Sequence, residues 1–163
     1  MVDNLWEWVR PNGFPNRRHS VFSSPSPEGA AKSALNADQI YTVTFPGEAL
    51  IAQIVGYEDA RWHSDCKSLP KKLFSVLSES GWMEKGIEEK SAVAPLWAPC
   101  LLREEVESLF SLEPLKSVRE EIRSSISFWK DVKLLESVEM VGDVGEIFFE
   151  AEEWVLHPFL PEN

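Results

Sequence analysis

His63 and Cys66 stand three residues apart, a spacing at which one turn of chain can offer two ligands to a zinc ion. A zinc site needs a second close pair, and the other ligand types, Cys100, His19 and His157, are scattered. No metal is therefore expected. Covalent catalysis has no better footing, because neither a nucleophile-elbow serine pattern nor a cysteine signature occurs. Phosphate-cradling GxGxxG and Walker-type runs are absent as well. What remains is three short pieces in a fixed order. "LWEWVR" ends on Arg10, "HSVFSSPSPEGAA" holds Ser23 and Ser24, and "GEIFF" is led by Glu146. Taken singly, each has a plain structural role: Arg10 before a turn, the serines as turn formers, and Glu146 as a charge at a strand edge.

The elements that must position these residues follow from local pattern. Leu5 to Val9 reads as a short strand stopped by Arg10-Pro11-Asn12-Gly13, and His19 to Ser23 as a second one. Ser26-Pro27-Glu28 supplies a capping serine, a proline at the first helical position and an acid in the first turn, opening a helix over 27–35. Ile40 to Phe45 alternates as a half-buried strand, with Tyr41, Val43 and Phe45 on one side. Ala49 to Val55 is apolar without a deciding period, so strand and short helix both stay open. Leu69, Leu73, Val76 and Leu77 mark an amphipathic helix that Gly81 ends. The same spacing recurs at Leu102, Val106, Leu109 and Phe110, and from Leu115 to Trp129 beyond Pro114. Ser91 to Cys100, with two prolines, reads as a loop. Ile147–Phe149 and Trp154–Leu156 suggest a terminal hairpin. With strands near both ends and helices between, the expected class is α+β: a mostly antiparallel, curved or split sheet with helices alongside, in one domain over residues 1–163.

Composition narrows the function. The 163 residues are 44% hydrophobic and 11% aromatic, including seven Trp and nine Phe, which suits a packed core and excludes disorder as the default. The net charge of −11 is concentrated late: residues 1–100 carry 10 Lys and Arg against 12 Asp and Glu, and the remaining 63 carry 6 against 15. Such a field argues against non-specific nucleic-acid binding, although Arg10, Arg17, Arg18, Lys67, Lys71 and Lys72 leave room for a local basic groove. Two cysteines make no disulfide framework, no run approaches a membrane span, and the N-terminal segment lacks a signal-peptide pattern. A cytoplasmic protein is expected.

The order of the three pieces resembles the mono-ADP-ribosyltransferase superfamily, whose members carry an Arg or His on a first strand, a serine-rich second strand and a catalytic Glu near the C-terminal end. The resemblance implies NAD as substrate, with Glu146 accepting from a ribose hydroxyl and stabilising positive charge as the glycosidic bond breaks. It further implies that Arg10, or else His19, holds the phosphates of NAD and that Ser23 or Ser24 orients the ribose or the glutamate. Phe22 and Tyr41 would stack on the nicotinamide. Members that modify arginine carry an acid or glutamine two residues before the glutamate. Here that position is Val144, which points to a different acceptor side chain, a nucleic acid or a small molecule. The small toxin, effector and phage members further imply a protein partner, such as a target, antitoxin or immunity protein. A second class stays open: a non-enzymatic acidic interaction protein whose helical faces over 103–121 cover a basic partner.

Overall fold

The computed structural model describes residues 1–36, 39–135 and 141–160. The chain forms two compact units, each assembled from two separate segments: residues 1–11 with 63–130, and residues 12–62 with the chain from 131 onward. Among the described residues there are six α-helices and two antiparallel sheets, so the class is α+β. No described helix is long and apolar enough to cross a membrane.

The first unit is helical. It contains α1 (Val2–Trp8) and, after α2 of the other unit, α3 (Asp65–Glu79), α4 (Ile87–Val93), α5 (Arg103–Leu109) and α6 (Leu115–Ser125). In α3, Leu69, Leu73 and Leu77 are buried at intervals of four, the stripe expected of one helix face, and each contributes about 2 kcal/mol by leaving water. Gly81, at φ 70°, supplies the left-handed turn beyond its end. In α5 the carboxylate of Glu105 reaches back to accept from the Leu102 N–H at 2.6 Å, satisfying one of the free donors at the helix start.

Three expectations fail in this unit. The helix expected from Leu115 to Trp129 stops at Ser125, because Ile126 turns extended and Trp129 falls in a 3-10 turn over Phe128–Lys130. The segment from Leu5 to Val9 is not a strand but part of α1 and its end. Its aromatic residues favour strands in isolation, yet Trp6 stacks on Phe128 at 3.9 Å and Trp8 on Phe110 at 4.4 Å, and that tertiary burial outweighs local preference. The segment from Ser91 to Cys100 is not an open loop either. It begins inside α4 and continues as a 3-10 turn over Ala94–Trp97, with Val93 and Leu96 buried.

The second unit contains β1 (Val21–Ser23), α2 (Pro27–Ala31), β2 (Tyr41–Thr44), β3 (Ala49–Ile54), β4 (Val132–Leu135), β5 (Ile147–Ala151) and β6 (Val155–Pro158). A four-stranded antiparallel sheet runs β1-β5-β3-β4, and a separate ribbon pairs β2 with β6. Ile51, Ile147 and Phe149 form a core cluster, against which Val43 and Phe45 from the ribbon side also pack. Ala49 to Ile54 is thus an inner strand. Its near-continuous apolar run reflects burial from Ile51 through Ile54. The expected terminal hairpin is corrected: β5 and β6 are both strands, but they belong to different sheets, because β6 takes β2 as its partner. The helix over 27–35 stops at Ala31, while the serine cap forms as expected, with Ser26 Oγ accepting from the Gly29 N–H at 3.1 Å.

Candidate functional site

A cavity of about 750 Å³ lies in the second unit, walled by the end of β1, by α2, by the turn over 58–62 and by the segment 143–146. Glu146 lines it, immediately before β5. Three backbone constraints place it there. Ile54 N–H donates to the Glu146 carbonyl at 2.9 Å. Gly145 has φ 130°, and any Cβ there would lie 2.0 Å from the Ile54 carbonyl oxygen, so only glycine allows the approach. Ser23 faces Ile147 across the β1–β5 ladder, so the chain leaving β1 passes beside Glu146.

The carboxylate is 13% exposed and is held by Arg17, itself 17% exposed. Arg17 Nε donates to Oε1 at 3.0 Å and Nη2 donates to Oε2 at 3.4 Å, with Nη2 also 3.0 Å from Oε1. The same guanidinium lies over the Phe22 ring, 4.9 Å from its centre, which ties the ion pair to an aromatic wall. Burial pushes the Glu146 carboxyl above the ordinary glutamate value, and nearby Asp59 adds to this. Arg17 and a hydrogen bond from the Ala60 backbone oppose the rise. Asp59 is shifted the other way, chiefly by the Arg61 side chain, whose Nε donates to Oδ2 at 2.8 Å. Beside them on the rim, Trp62 is 69% exposed, and Phe22 is 48% exposed at the cavity wall. A large exposed indole lining the same cavity as Arg61 offers a flat face that a planar ligand can meet.

No known protein family, characterised protein or solved structure matches this chain. Its chemistry has to be read from the cavity itself.

Four of the residues named from sequence meet there: Phe22, Ser23, Ser24 and Glu146 all line the cavity. Ser24 also serves a turn, since its Oγ accepts from the Ser26 N–H at 3.4 Å. The other three lie elsewhere. Arg10 belongs to the helical unit, where its Nε and Nη2 donate to the two carboxylate oxygens of Glu7 at 3.0 and 3.2 Å. His19 is exposed in a turn closed by its own N–H on the Asn16 carbonyl at 2.8 Å, and Tyr41 is half-exposed on β2; neither lines the cavity. Sequence reasoning missed Arg17 as the partner of Glu146, along with Asp59, Arg61 and Trp62. Arg17 had a signal: it stands five residues before Phe22, close enough for a turn to fold it back over the ring.

Among the described residues no three His, Cys, Asp or Glu side chains gather as metal ligands. His63 is buried at the start of α3, with Nδ1 accepting from the Asp65 N–H at 3.1 Å. The acidic helices use several of their charges internally: Glu107 accepts from Trp8 Nε1 at 2.6 Å and pairs with Arg119, and Glu121 pairs with Lys72 at 3.1 Å.

Proposed function

We propose that the cavity binds NAD and that the protein transfers ADP-ribose to an acceptor with release of nicotinamide. The observation that carries this reading is the convergence, in one cavity, of a largely buried glutamate held by an arginine fork, two serines and exposed aromatic rings. In the reaction the bond between ribose C1′ and the nicotinamide nitrogen breaks, and nicotinamide leaves with the electron pair. The acceptor nucleophile forms the new bond to C1′ and loses its proton to solvent or a nearby base. Positive charge develops on the ribose in between, and a preorganised carboxylate in a partly dry site stabilises it.

Within that scheme Glu146 is the catalytic carboxylate. Arg17 holds it in place, so the arginine that grips the phosphates is assigned to Arg61, whose planar fork retains donors beyond those given to Asp59. Phe22 and Trp62 supply the stacking faces, and Ser23 is the hydroxyl placed to meet the ribose.

Nicotinamide release and the thermal shift with NAD test the proposal on the wild type beside Glu146→Gln, Arg61→Ala and Arg10→Ala. Glu146→Gln is expected to lose about 10³-fold in turnover while still binding NAD, the scale of removing one preorganised charge. Arg61→Ala weakens binding, and Arg10→Ala changes neither quantity. Wild-type protein that shows neither a shift at saturating NAD nor any release would end this reading.

A further inference from the structure

β3 contains one polar side chain among buried apolar ones. Gln53 is fully buried between Ala52 and Ile54, at a register position facing Ile147, the residue after Glu146. A carboxamide there is costly unless its donors and acceptor are met. Among the described residues, its side-chain partners lie on one segment. Oε1 accepts from the Val141 N–H at 2.7 Å, and Nε2 donates to the carbonyls of Gly142 at 3.2 Å and Val144 at 3.3 Å. The neighbouring Ile54 N–H then holds the Glu146 carbonyl, so two consecutive residues of β3 grip residues 141–146 at four backbone atoms. Asp143, Val144, Gly145 and Glu146 are a wall of the cavity.

We propose that Gln53 is a positioning residue for Glu146: its carboxamide fixes segment 141–144 and thereby sets the direction from which the glutamate side chain enters the cavity. The catalytic part of this inference rests on the reading of Glu146 given above. Within 141–144, Gly142 has a positive φ and Val141 and Val144 are both exposed, so the apolar core does not order this stretch by burying its side chains. A glutamate reached through such a segment needs an external template to keep one orientation, and a small misplacement of a reacting group is costly in rate.

The test uses the full chain. In the wild type, the Val141 amide is expected to exchange with solvent about tenfold or more slowly than in an unstructured peptide. In Gln53→Met, which fills the same space without polar atoms, that protection disappears. The ¹³C titration midpoint of the Glu146 carboxyl then moves down toward the ordinary glutamate value as water reaches it. For nicotinamide release, kcat falls about 100-fold while KM for NAD stays within about threefold. Val141→Pro removes one tethering N–H and leaves Gln53 in the core, so it moves the same midpoint in the same direction even if Gln53→Met does not fold. An unprotected Val141 amide in the wild type, or an unmoved midpoint in a folded variant, overturns the proposal. Should the wild type neither bind nor turn over NAD, the transferase reading falls alone, because exchange and titration still decide whether Gln53 positions Glu146.

Discussion

Each unit of the molecule holds a buried carboxylate, and the two are satisfied in opposite ways. Asp65, at the start of α3, is 1% exposed and is surrounded by neutral donors. Its Oδ2 accepts from Trp6 Nε1 and from the backbone N–H groups of Ser127 and Phe128, each at 3.0 Å, and its Oδ1 accepts from Ser127 Oγ at 2.7 Å. These bonds link α1, α3 and the turn after α6. Glu146 instead faces a cavity, and its side-chain oxygens rely chiefly on one guanidinium. A carboxylate saturated by fixed dipoles in a closed core fastens chain segments together. One left at a cavity wall has its protonation pulled both ways by burial and a cation, and it leaves carboxylate surface toward the cavity.

The largest expected effect separates the two by exchange of readouts. Asp65→Ala strands four donors and should cost about 3 kcal/mol or more in urea unfolding, whereas Glu146→Gln should cost little stability at neutral pH while lowering turnover about 10³-fold. Equal destabilisation by both would erase the distinction.

A smaller effect lies in pH. Because the folded-state value of Glu146 is raised above the ordinary 4.5, the native chain keeps a proton that the unfolded chain has already released. Stability from this group is full below the unfolded value, falls as pH rises through the folded value, and is flat beyond it. Unfolding measured from about pH 4 to pH 8 should show that slope in the wild type and not in Glu146→Gln. Asp59, shifted down mainly by Arg61, contributes with the opposite sign: its stabilisation is present above the ordinary aspartate value and is lost as pH falls through the folded one. A wild type and Glu146→Gln with superimposed profiles would show that burial does not govern the glutamate.

The smallest effect concerns the cavity wall alone. Ser26→Ala removes the cap of α2 and should cost about 1 kcal/mol, read as a lowered unfolding midpoint with catalysis little changed. A large loss of activity in that variant would move the serine cluster from scaffold to chemistry.

Local signals were legible where one element contains its own explanation. The leucine stripe of α3, the Ser26 cap and the strand led by Glu146 all involve residues within a few positions of one another. The membership of the cavity was half legible for the same reason: Phe22, Ser23 and Ser24 sit on one short run and Glu146 on another, each recognisable by type. Arg17 lies near Phe22 in sequence, but its pairing with Glu146 joins residues 129 positions apart, and no short-range pattern encodes that.

Residue order by itself therefore determined the α+β class, the serine-capped turn and the glutamate placed ahead of an apolar strand, since these depend on periodicity and short-range hydrogen bonding. Tertiary structure alone decided that Leu5 to Trp8 is helical, that β5 and β6 part into different sheets, and that Arg17 rather than Arg10 meets a glutamate 129 positions away. Those outcomes rest on stacking of Trp6 and Trp8, on strand register and on an ion pair across the second unit, and each is a choice among distant partners that no local pattern encodes.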